Sequence, residues 1–458
     1  MGGRKRQLLL FCCCRTQRSF ALQFPAPHAQ YVRRRSSSSS SCSSLSSSSS
    51  PVTSIEVQGR YILVKRDDLF RDTESIGISG NKARKLCSLS KVPTEEFPSC
   101  VVSHGGPQSN SMLSLAAVVH AKGPRSRFVY YTKKLPRWLR DNPSGNYARA
   151  LALGADVRQL PHEVYNRVFA SCEGVGDRPA ELDSLLLRRG GIGGAVNGSV
   201  NGGSDDVSVM DGVPTESLWV PQGGACADAE EGLAILAEEI ANEWYSGRYS
   251  RSSGSSEEIE SVGESRPGDE KGLSREEGRG EQTAGTRYSR DERHRLVPEL
   301  AVVVPAGTGT TALFLGRHLS PRGIAVVAVP CVGDARGSYL RRQMARLDRV
   351  TGGTGAPRDL PLVLEPAFGS AAAAAAPFGR PRAELLTTWR SMNDESGLYL
   401  DLLYGARAWE VLLSRWETLP RRIANAQLMY LHCGGLEGIS SQLNRYRHAG
   451  LIEAREVM

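Results

Sequence analysis

The sequence predicts an α/β protein of two domains, each with a central, largely parallel sheet and flanking helices. Three observations predict it. Short apolar runs alternate with helix-length segments along most of the chain, the grammar of α/β units and of a parallel sheet. Glycine-rich turns stand where a strand gives way to a helix, as at Gly105-Gly106 and Gly307-Thr308-Gly309. The length of 458 residues exceeds the roughly 100–200 residues of one compact domain.

The chain opens with a segment of a different kind. Residues 1–55 carry Arg4, Lys5, Arg6, Arg15, Arg18, Arg33, Arg34 and Arg35, are rich in serine and hold no acid before Glu56. They include one short apolar run, Leu8-Leu9-Leu10-Phe11. This composition predicts a transit peptide for mitochondrion or plastid, the mitochondrion slightly preferred; the alternative is a disordered tail. Arg6 stands where an N-myristoylation motif wants Ser or Thr. The leader also accounts for the net charge of +8, because without its basic residues the chain has 49 basic against 49 acidic side chains. A basic surface for nucleic acid is therefore not expected. With no run of 18 or more apolar residues, neither is a membrane-spanning helix. Of ten cysteines, Cys12, Cys13, Cys14 and Cys42 lie in the leader, and the rest form no Cys-x-x-Cys pair. No disulfide framework and no metal site are expected.

Beyond the leader, Ile55 to Val64 alternates and reads as a strand running into Lys65-Arg66-Asp67-Asp68. The loop Gly77-Ile78-Ser79-Gly80 then opens a helix that Asn81 can cap and that carries Lys82, Arg84 and Lys85. Cys100-Val101-Val102 is a buried strand, followed by a helix over 109–121. Phe128 to Tyr131 is a further strand, and a helix from Tyr147 stops before Gly154. Three stretches, 189–213, 246–296 and 351–380, have too little large apolar surface to offset their ordering entropy and read as disordered. The expected layout is a larger domain over 56–99 and 214–458, a smaller one over 100–187, and a flexible Gly/Ser-rich segment over 188–213.

Three segments carry chemistry. The buried strand Leu300 to Val304 leads into Pro305-Ala306-Gly307-Thr308-Gly309-Thr310-Thr311 and a helix from Ala312. Glycines let backbone approach an anion, helix N-termini offer unpaired N–H groups, and threonine hydroxyls add donors, so this reads as a phosphate cradle. It is not a Walker loop, since no Lys-Ser or Lys-Thr follows. It matches G-x-G-x-x-A, so a dinucleotide reading stays open, although the acid it wants at the next strand's end arrives late, at Asp334. A bare tight turn is the remaining alternative. The second segment is Lys82. A lysine at a helix start is ordinarily a solvated charge, but Ser79-Gly80-Asn81 before it and apolar residues around it suit a partly desolvated, imine-forming amine. The third is Gln108-Ser109-Asn110-Ser111, which suits carboxylate binding at a helix N-terminus or a plain cap by Ser109.

Taken together these segments resemble the D-cysteine desulfhydrase and 1-aminocyclopropane-1-carboxylate (ACC) deaminase family, fold type II, tryptophan synthase β-like enzymes that use pyridoxal 5′-phosphate (PLP). Ser79-Gly80-Asn81-Lys82-Ala83-Arg84-Lys85-Leu86, preceded by Lys65-Arg66-Asp67-Asp68-Leu69, is similar to the family's lysine motif. Gln108-Ser109-Asn110, Gly307 to Thr311, Asp401-Leu402-Leu403-Tyr404 and Leu431-His432-Cys433-Gly434-Gly435 resemble its other segments, in the family's order. The resemblance implies that Lys82 forms the Schiff base and moves the Cα proton. It implies that Asn110 bonds the cofactor's phenolic oxygen and that Ser109 contacts the substrate carboxylate. Gly307, Thr308, Gly309, Thr310 and Thr311 would hold the phosphate, Tyr404 would cover the substrate, and Cys433 would face the ring nitrogen.

Cys433 stands where relatives often carry threonine, which leaves a weak neutral partner and a limited electron sink. Gly405 stands where ring-opening relatives carry a glutamate. Ring opening cannot begin with loss of a Cα proton, because that carbon has none, whereas β-elimination from a cysteine-like substrate can. The expected activity is thus PLP-dependent α,β-elimination and deamination of a small amino acid, D-cysteine before the cyclopropane substrate, in a homodimer. A nicotinamide-dependent oxidoreductase and a PLP binder without turnover remain as alternatives.

Overall fold

The computed structural model describes residues 49–71, 78–170, 178–187, 217–247, 300–374 and 377–453. The leader up to residue 48, the 188–213 segment and nearly all of 246–296 lie outside these residues.

The fold is the expected α/β one, with two sheets flanked by helices. The strands are β1 (Val52–Val57), β2 (Arg60–Lys65), β3 (Cys100–His104), β4 (Arg127–Lys133), β5 (Asp156–Leu160), β6 (Ser217–Trp219), β7 (Leu300–Ala306), β8 (Ala325–Pro330), β9 (Leu362–Val363) and β10 (Gln427–Leu431). Six form one sheet in the order β1-β2-β10-β7-β8-β9, parallel except for the β1–β2 pair. Four form an all-parallel sheet in the order β5-β4-β3-β6. The helices that matter to the site are α1 (Gly80–Lys85), α2 (Asn110–Ala121), α3 (Gly145–Ala152), α4 (Ala229–Tyr245), α5 (Thr310–Leu319), α6 (Ser338–Val350), α7 (Gly405–Ser414) and α8 (Ile439–His448).

Pattern explains the burial. Every residue of β7 is buried, as a strand covered on both faces requires. The alternation of side chains sends Leu63, Val302 and Met429 to the face packed by α4, α5 and α6. It sends Ile62, Val64, Val303 and Tyr430 to the opposite face, against Trp409 and Leu412 of α7. The parallel register then does the positioning. With Leu431 opposite Lys65, Tyr430 opposite Val303 and Ala306 opposite Pro330, the carboxyl ends of β2, β10, β7 and β8 lie along one edge. Ligands of open parallel sheets bind at that edge.

The structure revises several sequence expectations. The single strand expected from Ile55 to Val64 is a hairpin, turned at Gln58 (φ 48°) and Gly59 (φ 73°); both lie in the left-handed region that tight hairpin turns use. The boundary expected at residue 55 falls inside β1, and Ser50 is already buried, 2% exposed. The smaller sheet takes β6 from residues 217–219, which the sequence reading assigns to the larger domain. The stretch 351–380, expected to be a disordered insertion, contains β9, paired through Val327–Leu362 and Ala328–Val363. The cause is local: Leu362-Val363-Leu364 supplies an edge strand that a composition averaged over thirty-odd residues conceals.

Candidate active site

The lysine helix is stitched to two other segments of the site. Gly80 sits at φ +63°, and a Cβ there would stand 2.6 Å from the carbonyl oxygen of Cys433, so a side chain would force the segments apart. The close approach lets the Asn81 N–H donate to that carbonyl at 3.1 Å. The Asn81 side-chain oxygen accepts from Thr311 Oγ1 at 2.9 Å. Asn81 therefore does not cap α1 as expected. Ser79 occupies the N-cap position without a side-chain bond, and the Asn81 amide is spent on tying α1 to the start of α5.

Beneath α1 lies a buried ion network. Arg84, 1% exposed, donates to Asp67 Oδ1 at 3.0 Å and bidentately to Glu239 at 2.7 and 2.9 Å, with its guanidinium 3.6 Å from the Phe70 ring centre. Lys65, wholly buried, meets Glu239 at 3.1 Å, Glu243 at 3.0 Å and the Ser50 carbonyl at 2.5 Å. Ser50 Oγ donates to Asp67 Oδ1 at 3.2 Å. Burial raises the Glu239 carboxyl, but the Arg84 hydrogen bond and charge outweigh it and hold the group below its usual range. Breaking such a buried pair costs about 3–5 kcal/mol, so this network fixes the orientation from which Lys82 leaves the helix.

Lys82 is half-buried. Burial lowers its ammonium pKa, opposed by the neighbouring Cys433, which enlarges the fraction present as free amine, the nucleophilic form. Lys85, one turn further on, is 6% exposed, and its Nζ donates to the Gly223 carbonyl at 3.3 Å. Burial, and then the charge of Lys82, push it well below the ordinary lysine value. The sequence reading names Lys85 only as a helix residue. The signal was its i+3 spacing from Lys82, which sets both on one helix face.

The β7–α5 turn approaches the same place. Gly309 is the N-cap at φ +81° with no side-chain cap, so the first N–H groups of α5 are left for another acceptor. Thr308 and Thr310 hydroxyls bond each other at 2.9 Å, and a Cβ on Gly223 would lie 3.3 Å from Thr308. The Tyr404 ring packs over Gly307, where a Cβ would be 3.1 Å from Cε1. Gly309 behaves differently. A Cβ there would point into the core, 2.3 Å from Met344 Cγ and 3.0 Å from Leu340 Cδ1 of α6.

On the other side, Ser109 Oγ accepts from the Ser111 and Met112 N–H groups at 3.2 and 3.4 Å, the plain cap of α2, and its hydroxyl also bonds the Tyr130 phenol. Asn110 accepts from Asn146 Nδ2 at 2.6 Å, and its own Nδ2 lies 3.0 Å from where a Cβ on Gly435 would stand. Tyr404 is half-buried and opens α7. Burial raises its hydroxyl pKa, so the phenol stays protonated. Its backbone is set by Asp401, whose carboxylate accepts the N–H groups of Leu403, Tyr404 and Gly405 at 2.8–2.9 Å. Burial likewise raises the Cys433 thiol, which is therefore neutral.

Lys82, Asn110, Tyr404, Cys433 and Gly307 to Thr311 thus belong to one linked set of segments at the carboxyl ends of β2, β3, β7 and β10. Asp334, the acid a dinucleotide site would need, is committed elsewhere: its carboxylate accepts from the Ser338 and Tyr339 N–H groups at 3.0 and 2.8 Å. No described helix is long and apolar enough to cross a membrane.

Fold and site define an α/β protein of two largely parallel sheets whose partly desolvated lysine stands on a short helix tied, through Asn81, to the uncapped start of α5 and to the Cys433 segment. In particular, the chain is 28% identical over 196 residues to D-cysteine desulfhydrase of Klebsiella pneumoniae subsp. pneumoniae, a match covering 40% of this chain and 54% of that protein. The chain thus matches about half the length of this curated relative. It shares its fold with a crystal structure titled as an ACC deaminase homologue, at TM-score 0.51 and 18% identity, covering 88% of this chain and 94% of that one. No protein-family model matches the chain. Both likenesses fall within the family that the sequence motifs resemble.

Proposed function

We propose that this chain is a pyridoxal-phosphate enzyme that removes sulfur and nitrogen from a cysteine-like amino acid, with Lys82 as its essential amine. The observation that carries the reading is the double tie of the Lys82 helix, through Asn81, to Cys433 on one side and to the Thr311 end of the β7–α5 turn on the other. The residues fit the cofactor. The uncapped terminus of α5, the one hydroxyl proton that the Thr308–Thr310 pair leaves free and the Lys85 Nζ suit a phosphate dianion, while the Thr311 hydroxyl is held by Asn81. The Asn110 amide has a donor to spare, and Cys433 offers a neutral thiol. When bound, PLP supplies an electron sink that acidifies the substrate's Cα–H bond.

The chain's own groups do the rest. Lys82, its pKa lowered, takes the Cα proton and can return it. The Ser109 hydroxyl can meet the substrate carboxylate only by releasing Tyr130, and protonated Tyr404 closes the site over Gly307. The overall change balances as D-cysteine and water to pyruvate, hydrogen sulfide and ammonia. Gly405 supports elimination over ring opening. Its N–H is given to Asp401, and a Cβ there would meet Leu400 and Asp401 at 3.1–3.2 Å, so no further carboxylate enters from that position. The D-configuration rests on the relative's name alone.

Purified chain loaded with PLP should show a visible absorbance band and release sulfide and pyruvate from D-cysteine faster than from L-cysteine or ACC. Lys82→Ala should remove the band and lower kcat/KM by ~10²–10⁴-fold or more, with the apo fold intact. An unchanged spectrum in that variant refutes the lysine assignment, and a clear preference for ACC refutes the substrate.

A further inference from the structure

The geometry points to a positioning residue that neither the motifs nor the likenesses single out. We propose that Asn146 fixes the amide of Asn110 so that its N–H end, and never its oxygen, faces the cofactor. The inference rests on the PLP reading above.

Asn146 is wholly buried at the start of α3. Its Nδ2 lies 3.2 Å from the Gln108 carbonyl and 2.6 Å from Asn110 Oδ1, and its backbone N–H donates to Gln108 Oε1 at 2.9 Å. Gln108 Nε2 in turn donates to the Ser144 carbonyl at 3.0 Å. These bonds decide which way each amide points. A backbone carbonyl only accepts, so the Asn146 atom facing it must be nitrogen. That nitrogen also faces Asn110, so the Asn110 atom meeting it must be oxygen. The Asn110 Nδ2 is therefore the end left over, beside Gly435 and without a hydrogen-bond partner among the described residues. A chain of three groups, beginning at a carbonyl that cannot rotate, delivers one unpaired donor to the site. Asn146 itself touches neither cofactor nor substrate. The arrangement costs something, because Asn146 Oδ1 is buried with no partner among the described residues. An unsatisfied buried acceptor is expensive, which argues that the orientation of Nδ2 is what the position retains.

With the cofactor bound, a donor there would meet its phenolic oxygen and, because a hydrogen bond to an oxyanion is stronger than one to a neutral hydroxyl, would favour the deprotonated form. Asn146→Asp sets an acceptor where a donor stood. Asn110 must then turn its Nδ2 inward to meet it and show its oxygen to the site. Asn110→Asp, at a half-exposed helix start, imposes the same change directly and serves if Asn146→Asp is insoluble. The full chain and the variants are titrated with PLP and followed by absorbance, with the melting temperatures of the PLP-free proteins compared alongside.

Both substitutions should weaken PLP affinity by ~10- to 100-fold, the worth of a charge-assisted hydrogen bond. They should also move the pH midpoint of the visible band upward by on the order of one unit. In an Asn110→Ala background the effect of Asn146→Asp should largely vanish, since the two act through one bond. If Asn146→Asp weakens binding by the same factor with and without Asn110, its role is general packing and the proposal is overturned. If the parent takes up PLP while both Asp variants keep its band and affinity, the positioning role is overturned and the cofactor reading stands. A parent that takes up no PLP overturns the cofactor reading itself.

Discussion

Strands β3 and β7, one from each sheet, end in turns that open helices of twelve and ten residues, and the two turns treat their helix termini in opposite ways. After β3, Ser109 folds its hydroxyl back onto the first N–H groups of α2, so the terminus satisfies itself. After β7, Gly309 has no side chain to offer, and the first N–H groups of α5 remain available. The same strand–turn–helix unit can therefore either present side chains, as the first does with Asn110, or present its backbone, as the second does. Which it does depends on a single residue at the cap.

The comparison can be broken first at Gly309. A valine there combines a left-handed φ with a Cβ 2.3 Å from Met344, so it should lower stability by about 3 kcal/mol, read as a shift in the urea midpoint. The loss should be equally large without PLP, because the side chain enters the core between α5 and α6. A variant that keeps its parent's stability and loses cofactor alone would mean that the side chain instead enters the anion's space.

Lys85→Met sharpens the contrast from the other direction. A lysine whose folded pKa is depressed carries a burial penalty that is full below the folded value and disappears as pH passes its ordinary 10.5. Replacing it by an apolar chain should stabilise the PLP-free protein by about 1–2 kcal/mol near neutral pH. The gain should shrink toward pH 10, while PLP affinity falls by ~10-fold. Denaturation curves at both pH values, with PLP titrations, check this; a gain that is the same at both would show that the amine is not held neutral in the fold.

The smallest effect belongs to Ser109→Ala. Loss of the cap should cost about 1 kcal/mol and leave PLP affinity unchanged. Steady-state kinetics separate the hydroxyl's two uses: a rise in KM for the amino acid shows that its O–H also holds the substrate, and an unchanged KM confines it to capping.

The site's outline was legible wherever local chemistry sets it. The Ser-Gly-Asn-Lys run, the Gly-Thr-Gly-Thr-Thr turn and the strand–helix alternation are each written within a few residues, and the linked set contains Lys82, Asn110, Tyr404 and Cys433. What stayed hidden depends on pairings across the chain. Asn81 looks like a cap until Thr311, 230 positions away, claims its oxygen. Asn146 has no local mark, since its partners at 108 and 110 reach it only once α2 and α3 pack together. The hairpin at Gln58-Gly59 was missed because its two strands continue one alternation through the turn. The range assigned to the larger domain takes in β6, which pairs with β3 of the smaller sheet, because three residues carry too little pattern to announce a strand or its partner.

One topological detail bears on how the molecule comes into being. β10, last in chain order among the described strands, lies in the middle of the six-stranded sheet, between β2 and β7. During synthesis the halves of that sheet have no hydrogen-bonded connection until residues 427–431 have left the ribosome. The lysine helix after β2 and the turn after β7 can settle against each other only at that moment. Closing a loop of more than 360 residues between β2 and β10 is slow compared with forming local turns. The nascent chain must therefore wait with two open sheet edges, and it becomes competent to take up a ligand in one late step rather than by degrees.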